Sequence, residues 1–481
     1  VLESQQAPEF LLTQAELEAH IRFLAADELM GRRTGSEGNN LAARYLATQM
    51  ESWGVQQVPG AEGYYQPVRF LETVPAASAE IVLNKQTYQL KDDFLMLRGD
   101  AITLKKAKAV FVGYGTEEDL AGKDLMGKVV IALSGGPGIT SGRDMMDASG
   151  SKQERVKAAG AVALIELYNG PIPWRYLVGF LGRKQLNLAA DDAKIEGSLP
   201  HFYLNDKKPS ISEAFAKGKE GKISLRASGV KAEFLPSQNV IGWIEGSDPE
   251  LKKEYVIITA HYDHVGTGED GGQKFTPEDS IFNGARDNAI GVTSLLAAAK
   301  CLSIQRPKRS VVLLAVTGEE LGLLGSRYYV NHPLIPLEKT VFNLNTDGGG
   351  YTNTSAVGIM GYHRVGAQAE FDSSATAFGF TVIADPAPEQ NLFDRSDNVS
   401  FAAKGIPAPS YGLGFDDFDA EIMKYYHQVA DEADNLDFAY LHRAIQAFAH
   451  CARLVADKAE RPFWKEGDKY EEVGKELYGL P

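Results

Sequence analysis

The chain has 481 residues, 44% of them hydrophobic and 23% charged, with a formal net charge of −15. That length exceeds one ordinary core and predicts two or three domains of soluble globular type. The acidic balance argues against nucleic acid or an anionic membrane surface as partner. No apolar run is long enough to span a bilayer. The two cysteines, Cys301 and Cys451, are too few for a disulfide framework or a thiolate zinc site, and both fall in apolar helical patterns as buried free thiols.

In chain order, the polar opening Val1-Leu2-Glu3-Ser4-Gln5-Gln6 reads as the start of a trimmed product, as in a secreted or periplasmic protein. Thr13-Gln14-Ala15-Glu16 is a capping-box pattern ahead of Leu17, Ile21 and Leu24. A second helical period, Leu41, Tyr45, Leu46 and Met50, runs from 39 to 53 and stops at Gly54. From about residue 75 the texture changes to short β-like runs, including 109–112 and 129–133, between Gly-rich turns. After Pro236 strands at 239–244, 255–260, 310–316 and 340–344 alternate with helices at 288–302, 321–330 and 438–456. This pattern predicts an α/β fold with a mixed, largely parallel sheet flanked by helices. The expected division is 1–74 as the N-terminal helical part of the α/β domain, 75–235 as an inserted β-rich domain, and 236–481 as the core and tail.

Candidate ligands gather at predicted strand ends, where open α/β sheets bind their ligands. His261 and Asp263 follow one strand, Glu319 and Glu320 a second, and Asp347 a third. Asp287 stands where a loop opens into a helix, and His427 lies in a late loop. Singly, each has a structural reading: the glutamate pair suits a helix dipole, Asp287 and Asn288 a cap, Asp347-Gly348 a turn. In register on one sheet they read as a metal centre. Zinc takes imidazole nitrogen and carboxylate oxygen. Two zincs side by side need a bridging carboxylate, and they lower the pKa of a shared water. A further carboxylate must carry that water's proton to the leaving amine. Adjacent Glu319 and Glu320 can divide the duties of base and ligand.

Five stretches carry a family resemblance: Ala260-His261-Tyr262-Asp263-His264-Val265-Gly266, Gly284-Ala285-Arg286-Asp287-Asn288-Ala289, Thr317-Gly318-Glu319-Glu320-Leu321-Gly322, Asn345-Thr346-Asp347 and Tyr426-His427. Over residues 236–457 the chain resembles the dizinc aminopeptidase family that includes aminopeptidase S, aminopeptidase Y and glutamate carboxypeptidase. The resemblance implies a zinc-peptidase α/β/α sandwich holding two zinc ions per chain and acting on peptide substrates. It implies that His261 and Asp347 hold one zinc, Glu320 and His427 the other, and that Asp287 bridges them. Glu319 would be the general base and then the acid, with Asp263 orienting His261. The segments 110–115, 127–130 and 157–161 resemble a protease-associated (PA) domain, which would shape access to the site or contact a substrate or partner protein.

The stretch Phe393-Asp394-Arg395-Ser396-Asp397-Asn398 departs from the family, which often has a Tyr before Ser-Asp-His. A carbonyl-polarising phenol is then absent or supplied elsewhere, as by Tyr411. A carboxypeptidase acting on acidic C-termini would need arginines aimed at the substrate, and Arg286, Arg364 and Arg395 are the candidates. A single-zinc glutaminyl cyclase and an inactive receptor-like homologue are the other readings. The intact ligand set argues against the last. Ser149-Gly150-Ser151-Lys152 has the spacing of some serine acyl-transfer enzymes without a companion motif. Gly135-Gly136-Pro137-Gly138 lacks the Gly-Lys-Ser/Thr of a phosphate loop. His264 reads as a packing or hydrogen-bonding residue, and Phe415 and Phe418 as the edge of a substrate pocket or an ordinary loop.

Overall fold

The run Ser-Val-Val-Leu-Leu-Ala-Val at Ser310–Val316 has no polar face, and every one of its side chains is buried. Only a strand covered on both sides accommodates such a run. In the computed structural model it lies inside a large mixed sheet. The structure describes residues 7–139, 141–190, 195, 197–206, 211–217, 221–271 and 274–481. The polar opening at 1–6 lies outside the described residues.

The chain divides into two compact units, Val1–Arg69 with Pro236–Pro481, and Phe70–Leu235. Strand Tyr65–Val74 begins in the first and ends in the second, and strand Lys231–Ile244 runs back. In the first unit the sheet order is Thr381–Ala384, Ala356–Met360, Ser410–Leu413, Thr340–Asn345, Tyr255–His261, Ser310–Val316, Lys231–Ile244. Tyr255–His261 pairs in parallel with both of its neighbours, while Lys231–Ile244 joins Ser310–Val316 antiparallel. Helix Ile290–Ile304 is buried on all sides apart from Lys300 and its last turn. Helix Phe438–Asp457 packs beside it, and Cys301 and Cys451 on these two helices are buried free thiols. Thr13 caps helix Gln14–Leu24 by accepting from the Glu16 N–H. Among the described residues no helix is long and apolar enough to cross a membrane.

The second unit has its own eight-stranded sheet, with four central strands, Ile102–Phe111, Val129–Leu133, Ala163–Tyr168 and His201–Asn205, paired in parallel. It also holds the helix Gly142–Ala158. Ser149 and Lys152 on that helix face a buried carboxylate rather than a cleft. Lys152 Nζ lies 2.5 Å from Glu166 Oε2, and His201 Nε2 lies 2.7 Å from Glu166 Oε1. Ser149 also donates to Glu166. The nearness of Ser149 to Lys152 therefore belongs to a polar core, not to a nucleophile.

Burial pushes the His201 imidazole below its ordinary value, against the pull of Glu166. Burial also opposes the Glu166 carboxylate, but His201 and Lys152 outweigh it and hold its pKa low. Both shifts act in one direction. Below about pH 6.5 the unfolded chain takes up a proton at His201 that the folded unit refuses, and below about pH 4.5 the same holds at Glu166. The inserted unit is therefore expected to lose stability as pH falls from 7 to 4. Differential scanning calorimetry across that range checks this, and an unfolding temperature unchanged on acidification would contradict it.

Candidate metal centre

Parallel register brings the carboxyl ends of three strands level. His261 pairs with Val316, and Thr259 with Asn345. His261 ends its strand, Glu319 and Glu320 follow Val316 after a turn at Gly318 (φ 75°), and Asp347 follows Asn345. Asp287 comes from the turn Ala285–Ala289 that opens into the buried helix. Its peptide bond to Asn288 is cis. The Asp431 carboxylate accepts from the N–H groups of Arg286 (2.9 Å) and Asp287 (3.2 Å), which fixes that turn.

Asn288 does more than cap its helix. Its Oδ1 accepts from the N–H of Gly291 (3.1 Å) and of Gly348 (2.8 Å). Its Nδ2 donates to the carbonyls of His261 (3.3 Å) and Thr346 (3.1 Å). One amide thus clamps the segments carrying His261, Asp287 and Asp347. A Cβ at Gly348 would stand 1.8 Å from the Arg286 carbonyl oxygen, so only glycine allows this approach.

The structure brings His261, Asp287, Glu319, Glu320, Asp347 and His427 to one place. His261 Nε2 lies 3.3 Å from Asp287 Oδ1 and 3.5 Å from Asp347 Oδ1. His427 Nε2 lies 3.2 Å from Asp287 Oδ2 and 2.9 Å from Glu320 Oε2. Asp287 therefore turns one oxygen toward each histidine. Asp263 sits behind His261: its backbone carbonyl is 3.2 Å from His261 Nδ1, nearer than its carboxylate at 3.8 Å. The carboxylate instead accepts from Thr34 Oγ1 (3.0 Å) and the Glu319 N–H (3.2 Å).

Burial works against a charged His261, but Glu319, Asp347 and Asp287 outweigh it and hold its pKa well above the usual value. Burial likewise opposes protonation of His427, yet Asp287 and Glu320 raise it to about 10. Asp287 is held well below the carboxylate range by His261 and His427 despite its burial. Glu319 goes the other way: burial, Glu320 and Asp347 push it well up. Neighbouring carboxylates with opposite shifts are a hallmark of functional sites.

A metal fits this donor set. Ligand atoms of His261, Asp287 and Asp347 lie within 4.8 Å of one another, as do those of His264, Asp287 and Glu320, and of His261, Glu319 and Glu320. His261 Nε2 is buried among carboxylates and forms no hydrogen bond among the described residues. An imidazole nitrogen aimed into acidic oxygens is a zinc donor set.

Several participants are visible only in the structure. Arg32 is fully buried and donates to the carbonyls of Leu24, Tyr262 (3.0 Å), Asn283 (2.6 Å) and Gly284 (3.0 Å). Burial pulls it down to about 10, against Asp287, Asp431, Asp263 and Glu320, so it stays a cation behind the acidic cluster. Asp397 is fully buried with both carboxylate oxygens unpartnered among the described residues, and burial raises it to about 7. His264, read as a packing or hydrogen-bonding residue, places Nδ1 2.8 Å from Glu320 Oε1. Tyr411 does not serve the site: it is buried against Phe448, ring centroids 5.7 Å apart. Phe393 is buried under the Arg364 guanidinium. The phenol that lines the cleft is Tyr426, stacked on His427 at 4.2 Å. Met360, Leu392, Leu413, Phe415, Phe418 and Ile422 form the apolar wall.

Residues 239–452 match the model of peptidase family M28. Aminopeptidase YwaD of Bacillus subtilis is 28% identical over 317 residues, covering 65% of this chain and 61% of that protein. A vacuolar membrane protease of Saccharomyces cerevisiae is 34% identical over 146 residues, 30% of this chain and 13% of the relative. The chain thus spans less than two thirds of the length of these relatives. Among solved structures, an aminopeptidase from Aneurinibacillus sp. strain AM-1 shares the fold with a TM-score of 0.52 at 20% identity, over 93% of this chain and 95% of that one. The matched segment contains every strand end and loop that supplies a candidate ligand, so the candidate site lies wholly within the part of the chain that is similar to peptidase family M28.

Proposed function

We propose that the chain is a zinc-dependent exopeptidase that removes N-terminal residues from peptides. The observation that carries this reading is Asp287, with one carboxylate oxygen facing His261 and the other facing His427. The family match and the aminopeptidase name of the Bacillus relative support it. His261 and Asp347 would hold one zinc, Glu320 and His427 the other, with Asp287 shared. When bound, the zincs supply Lewis acidity and a water of lowered pKa.

The chain's own residues do the rest. Glu319 lines the cleft and forms no ion pair among the described residues, so its carboxylate is free to take a proton from water and return it to the leaving amine. The Asp263 carbonyl holds the His261 ring in one orientation. The carboxylates of Asp287, Glu319, Glu320 and Asp347 line the cleft and favour a free α-ammonium over an α-carboxylate beside the scissile bond. The apolar wall receives an aliphatic or aromatic side chain.

A substrate panel tests the proposal: leucyl-alanine, its N-acetyl derivative, an N-blocked dipeptide ending in glutamate, and a peptide with N-terminal glutamine. Hydrolysis of the free-amine peptide alone, abolished by a chelator and restored by zinc, is expected. Cleavage of the N-blocked acidic dipeptide would make it a carboxypeptidase, and ring closure of the glutamine without hydrolysis a cyclase.

A further inference from the structure

The three arginines singled out in the sequence have different fates. Arg286 is tied to Asp431 (3.3 Å) and Asn435, and lies 3.7 Å over the Tyr425 ring. Arg364 forks onto Asp468 through two bonds of 2.7 and 2.9 Å, and covers Phe393 at 3.9 Å. Arg395 alone of the three lines the cleft. Its contacts are the Tyr426 hydroxyl at 3.5 Å and the Phe418 ring at 5.8 Å, and among the described residues it forms no ion pair. Tyr426 stacks on His427 with 15° between the rings. The guanidinium therefore stands one aromatic ring away from a candidate metal ligand.

The cleft is thus polarised. Carboxylates of Asp287, Glu319, Glu320 and Asp347 lie at one part of its lining, and one cation without a counter-charge lies at another. A zwitterion whose two charges flank a single peptide bond complements that arrangement. Arginine is the side chain suited to the carboxylate end, because its planar fork matches two carboxylate oxygens. Phe418 and Tyr426 flank the guanidinium.

We infer that Arg395 binds the free α-carboxylate of the leaving residue, which makes dipeptides the preferred substrate class. This rests on the exopeptidase reading above. A longer peptide, or an amidated dipeptide, presents no charge at that position and gains nothing from Arg395. The contact is solvent-accessible and adds to substrate affinity more than to the chemical step. It is therefore read in KM rather than in kcat.

The test compares zinc-loaded wild type and Arg395→Gln on leucyl-alanine, leucyl-alanine amide and leucyl-aspartyl amide. Arg395→Gln is expected to raise KM for leucyl-alanine about tenfold more than for its amide, with kcat moving little. The same contrast is read without turnover, by calorimetric titration of the dipeptide and its amide into Glu319→Gln protein with and without the Arg395 change. An equal rise in KM on all three substrates would show that Arg395 only shapes the wall, and would overturn the inference. A penalty confined to leucyl-aspartyl amide would overturn it too, by assigning the arginine to an acidic side chain. Failure of wild type to cut any of the three would sink the exopeptidase reading instead, which keeps the two failures apart.

Discussion

Glu319→Gln is expected to retain its zinc and to lose about 10²–10⁴-fold in kcat, the usual contribution of a general acid–base group. The expectation rests on how the adjacent glutamates are engaged. Glu320 is held between His264 Nδ1 at 2.8 Å and His427 Nε2 at 2.9 Å, the situation of a ligand. Glu319 has no such partner, while its backbone N–H is pinned by the Asp263 carboxylate. Glutamine keeps the shape and the backbone contact and removes only the basic oxygen. Metal content by elemental analysis and kcat on a free-amine dipeptide decide the matter. Near-normal turnover in a zinc-replete variant would falsify the role. Loss of zinc would instead make Glu319 a ligand, a geometry that its closeness to His261 and Glu320 also allows.

On the proposed two-zinc reading, Asp287→Ala is expected to have a wider effect, lowering bound zinc from about two per chain to below one, because a shared carboxylate would serve both positions. The turn that presents Asp287 is held through backbone N–H bonds to Asp431, so removing the side chain leaves the loop in place. His427→Ala removes a ligand from one position only, and sets the comparison. If Asp287→Ala and His427→Ala lose the same amount of zinc, Asp287 does not bridge. Circular dichroism separates metal loss from unfolding.

Four of the candidate ligand positions, His261, Glu319, Glu320 and Asp347, were legible in the sequence because each falls within a few residues of a strand end, where apolar texture stops abruptly. His261 after the strand Tyr255–His261 and Asp347 after Thr340–Asn345 are local signals. Helix starts were less legible. The helix expected from 288 begins at Ile290, because Asp287 and Asn288 have non-helical backbone angles in the turn. The helix expected from 321 begins at Leu324, because Gly322 (φ 105°) and Leu323 (φ 59°) extend the preceding loop. Side-chain direction was not legible at all. Tyr411 lies on a strand beside the site yet points into the core, and Tyr426, next to His427, lines the cleft instead. The buried charges behind the candidate ligands were hidden for another reason: Arg32 and Asp431 meet most of their partners at positions distant in the chain.

That distance bears on how the protein is made. Arg32 collects a carbonyl from Leu24, 8 residues away, but its others come from Tyr262, Asn283 and Gly284, 230 to 252 residues later. On a ribosome the N-terminal helices emerge first, and the whole of Phe70–Leu235 follows before any of those carbonyls exists. The inserted unit has its sheet complete within its own span and can close while the rest is still being synthesised. The ends of the α/β unit must wait on either side of it, the guanidinium of Arg32 open to water until the second half arrives. Closure of the candidate cleft therefore waits on contacts of long sequence separation, which form slowly.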